Sequence, residues 1–164
     1  MKPAYPEIIE RISGELPELE KVVDRAAAAW QMVKNKPEDQ DYFLDSVALN
    51  LHSFYSGLER IFELIAKRID QRIMTGQSCH KDLLQIVSQD MVGLRPAVIQ
   101  PDEVEKLDQF RRFRHLVRNL YTSSLQASKI EGLIYELPKL WKNLQKELVA
   151  FVDFLEYIAD ANKS

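Results

Sequence analysis

Apolar residues recur every three or four positions along most of the chain, which is the spacing of one stripe on an α-helix. The first such segment runs from about Glu7 to Asn35. Pro17 lies within this segment and predicts a kink or a split, because proline cannot donate the amide hydrogen bond of a helix interior. Pro37 predicts the end of the helix. The predicted stripe comprises Ile8, Ile12, Leu16, Leu19, Val22, Ala26, Trp30 and Val33.

The second segment, from Asp41 to about Thr75, has the most regular helical pattern. Asp41 suits the N-cap, and Gly76 suits the position just after the C-terminus. A helix of this length predicts the spine of a bundle. Its stripe comprises Val47, Leu51, Phe54, Leu58, Ile61, Ile65, Ile69 and Ile73.

The rest of the chain predicts two more long helices and a short one. The short helix is expected over residues 78–91, followed by an irregular loop over residues 92–101. A capping signal at Pro101 begins a helix that runs to about Ser124. The last helix is expected to begin within residues 128–138, with Pro138 in its first turn. The predicted fold is therefore all-α, an antiparallel bundle of four long helices plus a short one, in a single domain over residues 1–164.

Composition limits the classes of function. Hydrophobic residues make up 46% and charged residues 29%, as in soluble globular proteins, and the net charge of −3 offers nucleic acid no overall attraction. The single cysteine, Cys79, excludes an internal disulfide and fits a reducing compartment. Residues 1–10 lack the apolar run of a signal peptide, and no segment reaches the roughly 18 to 20 apolar residues that cross a bilayer. We therefore expect a cytoplasmic protein without membrane association.

Basic residues concentrate in one segment, residues 107–122, with the sequence LDQFRRFRHLVRNLYT. An ideal helix turns by about 100° per residue, which places the apolar side chains on one arc that must face the core. These are Phe110, Phe113, Leu116, Val117 and Leu120. The polar side chains are expected together on the opposite arc, and these are Arg111, Arg112, Arg114, His115, Arg118, Asn119 and Tyr121.

This cluster of arginines has two interpretations. It is a solvated face if the arginines pair with glutamates of neighbouring helices. Arg111, Arg114 and Arg118 follow one another at about one turn, however, and like charges at that spacing destabilise a helix. The sequence contains no acid between Asp108 and Glu131 to relieve them. The stack therefore favours an anion, and the planar guanidinium suits phosphate in particular.

The segment also resembles a known signature. Arg114 to Tyr121, RHLVRNLY, is similar to the R-x4-H-x-Y motif of the HEPN superfamily, specifically of HepT-like toxins. The variant FRHxxRHxY of this pattern overlays residues 113–121. The resemblance implies a helical bundle and a metal-independent endoribonuclease that acts as a homodimer. It also implies a toxin–antitoxin pair in which a minimal nucleotidyltransferase antitoxin silences the toxin by adenylylating the motif tyrosine, here Tyr121.

The chain departs from the motif at Asn119, where the family has its catalytic histidine. An amide cannot act as a general acid or base near neutral pH. In one interpretation His115, one turn earlier, transfers the proton while Arg114 and Arg118 stabilise phosphoryl charge and Asn119 positions the substrate. In the other, the protein binds RNA or its partner through this face, including Arg111 and Arg112, without cleavage.

Other candidate sites have simpler explanations. Cys79 and His80 are adjacent, but a zinc site needs three or four ligands, so no metal and no cofactor are expected. Glu59 and Glu63 lie one turn apart and are expected to pair with Arg60 and with Lys67 at helical spacing. His52 is expected in a groove or on the surface.

Overall fold

The structure, a computed structural model, describes residues 3–119 and 127–163, with the backbone alone described for residues 118 and 119. Within these residues the fold is all-α. Its helices are α1 (Tyr5–Asn35), α2 (Gln40–Arg68), α3 (Cys79–Val87), α4 (Pro101–Asn119) and α5 (Ala127–Ala161), and a 3-10 turn, Pro37–Asp39, joins α1 to α2. The predicted bundle of four long helices and one short helix is therefore confirmed.

Helices α1 and α2 form an antiparallel hairpin with the most extensive helix–helix contact among the described residues. Their ion pairs show the direction. Glu7 near the start of α1 pairs with Arg68 at the end of α2 at 3.1 Å, and Glu15 pairs with Arg60 at 3.3 Å. Both pairs are exposed on at least one side, so they contribute to the register of the two helices more than to their stability.

Helix α2 is the spine of the bundle, as predicted. The ring of Phe54 is fully buried and lies 5.5 Å from the ring of Phe110 on α4 and 6.1 Å from the ring of Trp141 on α5, both in edge-on geometry. The same helix contacts α1 and α3. Residues of α2 therefore lie where side chains from several helices meet.

Two prolines lie inside helices. Helix α1 continues through Pro17, so the predicted split is wrong, and Pro138 lies well inside α5, so its predicted place in the first turn is also wrong. Apolar side chains on both sides of each proline are buried, such as Ile12 and Leu19 in α1. Burying a large aliphatic side chain contributes roughly 1.5 to 3 kcal/mol, so a few of them offset the cost of about 3 kcal/mol for an interior proline.

The predicted end of α2 is also wrong. The helix ends at Arg68, and Ile73, expected in the apolar stripe, is 82% exposed. Gln71 adopts a positive φ of 56°, and Gly76, which also has a positive φ, lies well beyond the helix. The carboxylate of Asp70 accepts two hydrogen bonds from the buried guanidinium of Arg95, at 2.6 and 2.7 Å. The chain therefore leaves the helical path where Asp70 makes this tertiary contact.

Candidate functional site

Arg114 does not lie on the solvent-facing arc where the sequence placed it. It is 7% exposed, and its side chain enters the interface between α4 and α2. The reason is geometric, since positions four apart on an ideal helix differ by only about 40°, so Arg114 lies close to the core residue Phe110. The single basic face predicted for α4 is therefore wrong with respect to this arginine.

The guanidinium of Arg114 is held by a carboxylate and a hydroxyl of α2. Nη1 lies 2.9 Å from Oε1 of Glu59, and Nη2 donates to Oε2 of the same carboxylate at 3.2 Å. Nη1 also donates to Oγ of Ser56 at 3.3 Å. The guanidinium carbon lies 4.9 Å from the centre of the Tyr55 ring, which is the geometry of a cation–π contact. Glu59 is itself 6% exposed, so this is a buried ion pair.

His80 at the start of α3 joins the same carboxylate. Its Nδ1 lies 2.9 Å from Oε2 of Glu59, and its side chain is 44% exposed. We call Tyr55, Ser56, Glu59, His80 and Arg114 the Glu59 cluster. Glu59 does not pair within its own helix as predicted, and Arg60 pairs with Glu15 of α1 instead. A carboxylate between a buried arginine and a half-exposed histidine can orient the histidine ring.

The environment of Tyr55 keeps its phenol protonated. The side chain is fully buried, and its hydroxyl has no hydrogen-bond partner among the residues that the structure describes. Burial raises the pKa of this phenol well above its ordinary value, and the negative charge of Glu59 raises it further. Tyr55 therefore supplies an aromatic surface for Arg114 and takes no part in proton transfer near neutral pH.

Arg111 and Arg112 both pair with a carboxylate of their own helix, although the sequence suggested that these cations had no acidic partner nearby. Nε of Arg111 lies 2.6 Å from Asp108, and Nε of Arg112 lies 3.3 Å from the other oxygen of the same carboxylate. Asp108 is one turn earlier on α4 and so relieves the repulsion that the sequence placed here. Arg112 remains 58% exposed, and Arg111 22%.

The remaining motif residues are only partly described. His115 has an exposed side chain on α4. Residues Arg118 and Asn119 continue the helix, but their side chains lie outside the described residues, and so does Tyr121. Their predicted roles stay predictions.

Three of the side chains near the Glu59 cluster could together hold a metal ion. One ligand atom each of Glu59, Glu63 and His80 lies within 4.8 Å of the others. Oε2 of Glu59, however, already accepts a hydrogen bond from Arg114, whose Nη1 also lies 2.9 Å from Oε1, and a metal ion would compete with that arginine for the carboxylate. This donor set fits a hydrogen-bonded histidine–carboxylate pair better than a metal centre.

The sequence pattern points to Arg114 but not to the partners that define its role. Glu59 and His80 are separated from Arg114 by 55 and 34 positions, and no local pattern connects them. One signal was available, since Glu59 lies one turn from Tyr55 and from Phe62 on α2, and an acid on an apolar helix face is costly without a partner.

The fold and this cluster define an all-α bundle in which a motif arginine is anchored to the central helix. Residues 46–155 match the model of the family of HepT-like proteins. Because this match covers well over half of the 164 residues, the chain belongs to the HepT-like family. No match was found among curated proteins or among solved structures. None of the helices in the described part of the chain is long and apolar enough to cross a membrane.

Proposed function

We propose that this protein is the toxin of a toxin–antitoxin pair and cleaves RNA as a metal-independent endoribonuclease in the cytoplasm. The observation that carries the proposal is the family match over residues 46–155, which includes the motif segment from Arg114 onward. The Glu59 cluster supports it, because it fixes the motif helix α4 against α2 and brings an ionisable histidine beside it. Exposed Arg112 and His115 then provide RNA contacts.

The proposal extends to the partners. A minimal nucleotidyltransferase antitoxin neutralises the toxin by modifying Tyr121, and two copies of the chain form a homodimer in which their motif segments face one another. An open groove of about 610 Å³ between α4 and α5 supports a contact surface beside the motif. Its walls combine the cations Arg112 and Lys129 with the apolar Phe113 and Leu133.

Purified protein incubated with labelled RNA in EDTA tests the proposed activity. We expect endonucleolytic products, and we expect growth arrest when the chain is expressed alone but not with its nucleotidyltransferase. An Arg112→Ala variant, which loses an exposed cation, should bind RNA more weakly without unfolding. Absence of cleavage over a panel of structured and single-stranded RNAs would contradict the ribonuclease proposal.

Two observations favour a second candidate, a HepT-like module that binds RNA or the nucleotidyltransferase without cleavage. Asn119 replaces the motif histidine. The guanidinium of Arg114, which was expected to stabilise phosphoryl charge, forms an ion pair with Glu59. Retained RNA binding by a protein that does not cleave would support this candidate.

A further inference from the structure

A cavity of about 340 Å³ lies between the end of α2, the segment that follows it, and the start of α3. Its apolar wall includes Ala66, Met74 and Leu83. Its charged wall carries Lys67 and Arg72 against a single carboxylate, that of Glu63, so the cavity has a net positive charge with neutral histidine. This volume is at the lower end of the range for small-ligand pockets, and the charge favours an anion.

His80 connects this cavity to the Glu59 cluster. It lines the cavity, while its Nδ1 lies 2.9 Å from the buried carboxylate of Glu59. A carboxylate accepts hydrogen bonds, so Nδ1 carries the proton of the neutral ring and Nε2 carries the lone pair. Arg114 holds Glu59 from the other side. The histidine therefore has a fixed tautomer and orientation beside a positively charged cavity, as a general base requires.

We propose that this cavity binds a phosphodiester of RNA and that His80, from outside the motif, is the proton-transfer residue that Asn119 cannot be. The inference rests on the proposed ribonuclease function. Nε2 of His80 removes the proton of a ribose 2′-hydroxyl, and the 2′-oxygen forms a bond to the adjacent phosphorus. The bond from phosphorus to the 5′-oxygen breaks, and that oxygen takes the proton back from His80. The products are a 2′,3′-cyclic phosphate and a 5′-hydroxyl end.

Lys67 and Arg72 have a separate role in this proposal. They neutralise the phosphoryl oxygens, whose charge increases as the 2′-oxygen attacks. Arg114 acts through Glu59 and is a positioning residue, which explains why the motif arginine is buried. His115, the candidate from the sequence, lies at the exposed surface of α4.

The three histidines of the chain allow a matched experiment. Cleavage of labelled single-stranded RNA is measured in EDTA for the wild type and for His80→Ala, His115→Ala and His52→Ala. We expect His80→Ala to lower the rate constant by about 10²-fold to 10⁴-fold, with His52→Ala within a few fold of wild type. His115→Ala, which removes a proposed RNA contact, should lower it much less than His80→Ala does. Circular dichroism checks that each variant is folded, and His80→Gln provides a second, smaller change at the same site.

A binding measurement tests the cavity without cleavage. An RNA with 2′-O-methyl groups lacks the nucleophile, and we expect Lys67→Ala and Arg72→Ala each to raise its Kd roughly tenfold. Lys21→Ala removes the same charge from an exposed position on α1 and should leave the Kd close to that of the wild type. A Kd that changes equally in all three variants would overturn the cavity as the RNA site.

The outcomes separate this inference from the proposed function. Cleavage that is lost in His115→Ala but kept in His80→Ala overturns the role of His80 and leaves the ribonuclease proposal standing. Cleavage that disappears in EDTA and returns with a divalent metal ion overturns both proton transfer by His80 and the metal independence of the proposed activity. A wild-type protein that cleaves no RNA refutes the proposed function, and the inference falls with it.

Discussion

At the scale of single residues, the Glu59 carboxylate dominates the energetics of the site. It is 6% exposed and lies between the guanidinium of Arg114 and the ring of His80. A buried carboxylate without a countercharge is strongly destabilising, whereas a buried ion pair with well-placed hydrogen bonds is tolerated. Arg114 is therefore needed for stability, whatever its part in catalysis.

Arg114→Ala should lower the free energy of unfolding by about 3 kcal/mol, because it leaves Glu59 charged and buried. Arg112→Ala is the matched control on the same helix. Its guanidinium is 58% exposed and pairs with exposed or neighbouring acids, so the loss should stay below about 1 kcal/mol. Urea unfolding of both variants measures the difference, and equal losses would contradict the buried pair. Loss of activity in Arg114→Ala therefore cannot be assigned to catalysis without this measurement.

Tyr55→Phe should leave the free energy of unfolding unchanged or raise it by up to about 1 kcal/mol. The substitution removes a buried hydroxyl that has no partner within the described ranges and keeps the ring beside Arg114. Tyr135→Phe, on the exposed surface of α5, is the control and should have no effect. A loss of stability confined to Tyr55→Phe would show that the hydroxyl has a partner in the folded protein.

The site was predictable from the sequence only in part. The motif drew attention to Arg114, but helical geometry alone places that residue near the edge of the apolar arc, and the choice between core and solvent depends on what the facing helix offers. The facing residue is Glu59, whose position follows from the packing of α2 against α4. His80 reaches Glu59 from the start of α3. Apolar periodicity identifies a short helix but does not indicate which part of a neighbouring helix it packs against.

At the scale of helices, a glycine of α2 leaves room for a leucine of α1. A Cβ atom built on Gly57 would lie 2.7 Å from Cδ2 of Leu19, and Leu19 is 1% exposed. Leu19 can therefore occupy the space beside position 57 only because that position has no side chain.

Gly57→Ala should lower the free energy of unfolding by about 1 kcal/mol, because overpacking of roughly 1 to 3 kcal/mol exceeds the gain in helix propensity of about 1 kcal/mol. Gly14→Ala in α1 is the control, since nothing lies within 4 Å of the added Cβ, and it should stabilise the protein by up to about 1 kcal/mol. Thermal and urea unfolding give both values. Stabilisation by both substitutions would show that Leu19 moves aside at little cost.

The helices themselves were largely predictable, and the errors occurred where tertiary contacts override local signals. Apolar periodicity identified the long helices because each buries one face. The predicted split at Pro17 and the predicted first-turn position of Pro138 were wrong, because local rules do not account for the apolar side chains buried on either side of each proline. The early end of α2 is followed by the buried contact between Asp70 and Arg95, which are 25 positions apart, so no local pattern indicates it.

At the scale of the whole molecule, a pair of acids joins the start of α4 to α5. Oε1 of Glu147 accepts the amide hydrogen of Gln100 at 3.1 Å, and Oε1 of Glu103 accepts from Asn143. The other oxygen of each carboxyl group is buried and has no partner in the described part of the chain. Burial raises the pKa of Glu147 to about 7, the amide of Gln100 lowers it, and the nearby Glu103 raises it. The global stability should therefore depend on pH through this group.

The sign of this dependence follows from proton binding. The pKa of Glu147 is about 7 in the folded protein against an ordinary value of 4.5, so between these values the folded state holds more protons than the unfolded state. The contribution of this group to stability is complete below pH 4.5 and is lost as the pH rises to about 7. Glu147→Gln keeps the acceptor for Gln100 and has no charge, so among the pH values above 4.5 it should differ least from the wild type near pH 5.

At pH 8 we expect Glu147→Gln to be more stable than the wild type by about 1 kcal/mol, after allowance for screening by solvent around this half-buried group. Urea unfolding at pH 5, 6, 7 and 8 measures the difference for the whole fold. Glu156→Gln, exposed on the same helix, removes the same charge and should follow the wild type at every pH. Parallel pH profiles for the wild type and Glu147→Gln would show that Glu147 is ionised in the folded protein.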